Sequence, residues 1–220
     1  MYNLEFSPHI LKVLKSFNTI NPSILFREGS QISTWTPKSH IVLATTVALT
    51  PTFQSEFAIY SLGDFLNTLS FFEKPTIEVH EKFLIISEGN RKVVFFFASP
   101  AMIDYPPQGE MKEFKSIAEF DLSEADLKYI TKLTNVLKLP EITISARDGK
   151  LYVGASNSKS ATSNLQEIDI ADTDAVFNLI FKTEYINLME GAYHVKVTDR
   201  TVIFEGPVKY YIAFESTSTI

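Results

Sequence analysis

LSEADLKYITKLTNVLKL, residues Leu122–Leu139, decides how this chain is read. Leu127, Ile130, Leu133 and Leu137 recur at spacings of three and four, so one face of a helix is expected to be buried. Lys128, Lys132 and Asn135 fall together on another face, which makes that face basic. Ser123 is placed to cap the helix, Glu124 and Asp126 suit the positive end of its dipole, and Pro140 stops it. A wet amphipathic helix is commonplace, but this one has a counterpart near the start of the chain.

LEFSPHILKVLKSF at 4–17 matches AEFDLSEADLKYITKL at 118–133, pairing Ser7 with Ser123, Leu11 with Leu127, Lys12 with Lys128 and Phe17 with Leu133. Ser7-Pro8 is a strong helix start. Ile10, Leu11, Leu14 and Phe17 supply the apolar face, and Lys12 and Lys15 the exposed one. A second helix is predicted at SLGDFLNTLSFF, 61–72, and FAIYSLGDFLNTL at 57–69 aligns without a gap on FNLIFKTEYINLM at 177–189, so that helix is expected to recur. Alternating apolar runs between these helices read as strands: SILFRE, QISTWT and HIVLATTVAL, then TIEVHE, KFLIISEG and KVVFFFAS. In the second half EITISAR and KLYVGAS flank an Asp148-Gly149 hairpin turn, and HVKVTD, RTVIFEG and KYYIAFES close the chain. SNSKSATSN, 156–164, reads as a mobile loop. Residues 99–116, with Pro100, Pro106, Pro107 and Gly109, read as an extended linker. The chain is therefore an internal duplication of α+β class: residues 1–98, a linker at 99–116, and residues 117–220. Each half is expected to pack two helices on antiparallel sheet. Unpaired sheet edges would remain, and edge pairing that closes head to tail makes a ring. The runs at 93–97 and around 151–155 are the expected subunit contacts.

Composition removes several function classes. The 220 residues carry 20 Lys+Arg against 26 Asp+Glu, a net charge of -6, so any basic surface is local. With no cysteine there is no disulfide, no thiolate metal site and no cysteine nucleophile. No run approaches ~18 apolar residues and the first residues lack a signal-peptide pattern, so a soluble cytoplasmic protein without membrane association is expected. His9, His40, His80 and His194 are scattered, and HExxH, GxSxG, GxxxxGK and GxGxxG are absent. Neither catalysis nor a cofactor or metal is expected.

The duplication, with LKSFNTINPSILFREG at 14–29, FAIYSLGDFLNTLSF at 57–71 and FNLIFKTEYINLMEGAYHVKV at 177–197, resembles the sliding clamps of T4-like bacteriophages. These are the phage counterparts of proliferating cell nuclear antigen, the DNA polymerase processivity factor. The resemblance covers essentially the whole chain. It implies a homotrimeric ring with the DNA-clamp fold, helices lining a central hole, loading by an ATP-driven clamp loader, and action in the cytoplasm of an infected bacterium. The implied partners are double-stranded DNA, DNA polymerase, the loader and late-transcription factors. Lysines facing phosphates suit sequence-independent sliding, so Lys12, Lys15, Lys128 and Lys132 are the expected DNA contacts, joined by Lys138 and Lys182. The helix at 61–72 has no lysine, which makes that part of the hole less basic. Partner tails are expected near Met102, Ile103, Tyr105 and Phe114. The rival reading is a ring-forming structural phage protein of tail or capsid, which has no need of lysines repeated in both halves. A single-strand binder is a second rival, but VVFFFAS and KYYIAF are apolar on both faces and fit core strands or interfaces better.

Overall fold

A computed structural model describes residues 1–46, 49, 52–109, 114–160 and 163–220. Within the expected strand run 40–49, Val47 and Ala48 lie outside the described residues, as do linker residues 110–113 and loop residues Ala161 and Thr162. Two compact units divide the chain, Met1–Gln108 and Gly109–Ile220. No helix among the described residues is long and apolar enough to cross a membrane.

In the first unit β1 (Tyr2–Leu4) leads into α1 (Pro8–Ile20). Ser7 Oγ accepts the Ile10 N–H at 3.2 Å, so the expected cap is made. Strands β2 (Ile24–Phe26), β3 (Ser33–Trp35), β4 (Val42–Thr45) and β5 (Phe57–Ile59) follow, then α2 (Leu62–Leu69) and β6 (Thr76–Val79), β7 (Phe83–Glu88) and β8 (Arg91–Phe96). An antiparallel sheet runs β1-β6-β7-β8, while β2 pairs with β5 and β3 with β4. Ile10, Val13, Leu14 and Phe17 of α1 are buried, as are Leu62, Phe65, Leu66 and Leu69 of α2, and the two helices pack together. Beneath them the core is aromatic: Phe26 stacks on Phe57 at 4.6 Å, Phe57 on Phe97 at 4.9 Å, and Phe65 meets Phe95 edge-on at 5.3 Å.

In the second unit β9 (Ala118–Leu122) precedes α3 (Glu124–Leu137), followed by β10 (Glu141–Arg147), β11 (Lys150–Ser156), β12 (Gln166–Asp172), β13 (Phe177–Lys182), β14 (Tyr193–Val197), β15 (Thr201–Glu205) and β16 (Lys209–Ala213). One sheet runs β12-β11-β10-β13, and a second has β16, β15, β14 and β9 in order. Ser123 Oγ caps α3 on the Asp126 N–H at 3.1 Å. Leu127 and Ile130 of α3 line a small apolar core cavity together with Ile142, Ile144, Val153 and Phe204. Asp148 and Gly149 both have positive φ, 51° and 78°, as a type I′ hairpin turn requires.

The expected second helix of this half does not form. Only a 3₁₀ turn at Thr183–Tyr185 stands at its place. In the ungapped alignment the N-cap Ser61 corresponds to Phe181, which is buried and has no oxygen to offer the first turn. Tertiary bonds hold the segment instead. Thr183 N–H donates to the Pro140 carbonyl at 2.9 Å, Met189 N–H donates to Tyr210 Oη at 3.0 Å, and Tyr193 Oη donates to the Met189 carbonyl at 2.6 Å. The class stays α+β, but the second half has one α-helix where two were expected.

Candidate nucleic-acid interface

Burial of one face of α1 fixes which way its lysines point. Lys12 and Lys15, three residues apart, are exposed, and no carboxylate among the described residues pairs with either. On α3, Lys128 and Lys132 are exposed with Asn135 along the same flank. Lys128 is not free: its Nζ lies 2.6 Å from Glu124 Oε1 and 3.6 Å from Glu190 Oε1. The Glu124 hydrogen bond first, and then the two carboxylate charges, hold this ammonium above the usual lysine range. Lys138 is the C-cap of α3 in left-handed conformation, φ 52°, its N–H closing the last turn onto Asn135 and Thr134. Lys182 ends β13 with its Nζ 5.6 Å from the centre of the Tyr185 ring, so it sits on a strand end and not on a helix. The fold thus groups Lys12 with Lys15, and Lys128 with Lys132 and Lys138. On α2, Asp64 and Asn67 are exposed and no cation among the described residues pairs with them.

The segment carrying three of the expected partner contacts is pinned within the first unit. A 3₁₀ turn at Pro100–Met102 leaves Met102 66% exposed. Asp104 follows, and its carboxylate accepts Trp35 Nε1–H at 2.6 Å and the Lys38 N–H at 2.8 Å, while its carbonyl accepts Asn21 Nδ2–H at 2.8 Å. His40 stacks on Trp35 with ring centres 3.7 Å apart. Arg27 covers the Tyr105 ring at 5.1 Å and donates to the Pro106 carbonyl at 2.8 Å. Ile103 and Tyr105 are half-buried, and Phe114, half-buried in no regular element, belongs to the other unit. Sequence reasoning missed Trp35, His40 and Asp104, whose partners stand more than sixty residues apart; a lone tryptophan beside the Pro37-Lys38 turn was the available signal.

The Lys38 N–H, followed by the Trp35 indole and the His40 charge, lowers the Asp104 pKa. A depressed carboxylate stabilises the fold above its unfolded pKa of about 3.9 and loses that contribution as pH falls through its lower folded value. Trp35 is the only tryptophan, so its emission should shift below about pH 4. Asp104→Asn should remove that acid step. An unchanged step in this variant would show that another group controls it.

Sheet edges provide the other candidate surface. Among the described residues β8 pairs only with β7, and its Val94 and Phe96 are 41% and 69% exposed. β11 carries the expected contact around 151–155, but it is bonded on both sides by β10 and β12 and is no edge. β12 is the edge, and Asp121, Asp126, Ile168, Asp169, Ile170 and His194 line a groove of about 430 Å³ beside it. His194 Nδ1 lies 2.8 Å from Asp121 and its Nε2 3.2 Å from Glu119, contacts that raise the imidazole pKa. The opposite edge, β13, is covered by residues 215–219: Asn178 and Thr219 exchange backbone bonds, and Glu215 N–H reaches the Ile180 carbonyl at 2.8 Å.

This architecture is shared with known clamps. Proliferating cell nuclear antigen from Entamoeba histolytica superposes with TM-score 0.67 at 16% identity, covering 93% of this chain and 94% of that one. A DNA polymerase sliding clamp from Pseudomonas aeruginosa gives 0.67 at 13% identity over 98% of this chain and 64% of its own. At such identities the fold alone is shared. Residues 119–216 match the family model "gp45 sliding clamp, C terminal". The Sliding clamp of Vibrio phage KVP40 is 27% identical over 97% of this chain and its own full length. That of Enterobacteria phage T4 is 25% identical over 98% of this chain and 99% of its own.

Fold and kinship together define the class: the protein is a DNA sliding clamp. Over its full length it is similar to the clamps of T4-like phages. They do not favour the structural-protein alternative.

Proposed function

We propose that three copies of this chain close into a ring around duplex DNA and tether the replicative DNA polymerase, giving it processivity without catalysing a reaction. Each chain contributes two clamp domains, 1–98 and 117–220, joined by residues 99–116. The observation that carries the reading is the pair of matched lysine faces, Lys12 and Lys15 on α1 and Lys128 and Lys132 on α3, set opposite buried helix faces. Lys138 and Lys182 extend the phosphate-facing surface. Unpaired β8 and β12 suit antiparallel pairing between subunits, which continues the apolar rows Val93–Phe95 and Ile168–Ile170. Basic Arg91 and Lys92 at the start of β8 complement the acidic end of β12. Met102, Ile103 and Tyr105, on the segment held by Asp104, and separately Phe114, are the proposed contacts for apolar tails of the polymerase, an ATP-driven loader and late-transcription factors. The host cytoplasm is the proposed place of action.

Assembly from dilute subunits beside nicked circular duplex should trap clamp on the circle. The complex should survive gel filtration at high salt and be lost when the circle is cut. Retention on the linear product would rule out encirclement.

A further inference from the structure

Glu190 lies on the segment that replaces the missing helix, and the residue before it, Met189, is held on both sides of its backbone. Tyr210 Oη accepts its N–H and Tyr193 Oη donates to its carbonyl, at 3.0 and 2.6 Å. Both tyrosines are buried, Tyr210 fully, and burial pushes the Tyr193 pKa far above the usual range, so Tyr193 remains a hydrogen-bond donor at any working pH. Gly191 has φ +151°, and a Cβ there would stand 2.5 Å from Pro207 Cγ. A Cβ on Gly206 would stand 2.6 Å from the Tyr193 ring. Backbone geometry therefore delivers Glu190 to α3, where Lys128 sits between it and Glu124. Lys12, the residue matched to Lys128 in the first half, has no carboxylate partner among the described residues.

We propose that Glu190, with Glu124, is a built-in counter-charge that keeps Lys128 from full engagement with DNA phosphates, so that Lys128 holds the duplex more weakly than its first-half counterpart Lys12. This rests on the clamp reading and adds a positioning role to it. A lysine already held by two carboxylates releases fewer DNA counterions when a phosphate approaches, because its own charge is partly matched beforehand. Sliding needs such attenuation: strong contacts would hold the ring at one place.

The test is the salt dependence of binding to a short linear duplex, which a ring can thread from its ends without a loader. Fluorescence anisotropy of a labelled duplex reports it. Each lysine freed for phosphate contact adds about 0.9 to the log–log slope, about a threefold larger loss of affinity between about 50 and 200 mM salt. Glu190→Gln should steepen the slope, and Glu124→Gln/Glu190→Gln should steepen it more. In a Lys128→Gln background Glu190→Gln should have no effect on the slope. The same steepening with and without Lys128 would overturn the proposal, since general charge removal would then account for it. No steepening from either carboxylate variant, with Lys12→Ala/Lys15→Ala still flattening the slope, would overturn it and leave the clamp reading intact. A slope that none of these variants alters would remove the clamp reading as well.

Discussion

Replacing Lys12, Lys15, Lys128 and Lys132 together with alanine should leave trimer formation unchanged and remove most of the ring's salt-dependent hold on duplex DNA. All four side chains are exposed, so folding should change by no more than about 0.5 kcal/mol per site. Duplex binding should respond strongly, because each phosphate contact removed flattens the log–log salt slope by about 0.9, and a trimer loses several at once. Lys12 and Lys15 should account for the larger part, since neither is engaged by a carboxylate among the described residues. Light scattering across a dilution series reports assembly, and polymerase product length on a primed circle reports tethering. A trimeric variant that supports synthesis as long as the wild type would take these lysines out of the DNA contact.

Val94→Pro should dissociate the ring. Phe97 N–H donates to the Lys82 carbonyl of the neighbouring strand at 3.0 Å, so by strand alternation the N–H of Val94 points away from β7 toward the open edge. Proline there leaves the internal ladder intact and removes one donor from the proposed subunit contact. The partner's carbonyl is left unsatisfied, at about 1–3 kcal/mol for each interface, and a closed ring multiplies the effect. Subunits should sediment as monomers at concentrations where the wild type is trimeric, with unchanged thermal unfolding of the separated chains. A variant that keeps its trimer at every dilution would exclude β8 as the contact strand.

The sequence made the helical half of the architecture legible because its signals are local. Ser7 and Ser123 cap the helices they were expected to cap, and the Asp148-Gly149 turn has the backbone its residues require. The fourth helix failed on one position. Its periodicity survives in the repeat, but Phe181 replaces a cap and Tyr193 and Tyr210 claim the backbone beyond it. β12 was missed even though Glu167-Ile168-Asp169-Ile170 alternates with strand period, because acidic residues are poor strand formers and the polar loop before it drew the boundary. That omission moved the expected edge onto β11. β1 and β9, three and five residues long, are absent from the predicted strands because so short a run carries little alternation. At the candidate interface, the lysine pairs were visible from spacing. Glu190 beside Lys128 and Asp104 beside Trp35 were not, since long-range neighbours leave no periodic trace in one sequence.

The bare edge of β8 also sets a race at birth. In the proposed ring, each newly made subunit displays an unfinished ladder and a protruding Phe96 until a neighbouring subunit covers them. Both correct assembly and clumping quicken with crowding, so raising expression cannot by itself favour the ring. Arg91 and Lys92 at the head of that strand would then act as gatekeepers: they favour an edge that sets acidic residues opposite them over an identical antiparallel edge, which offers them only Phe95 and Phe96.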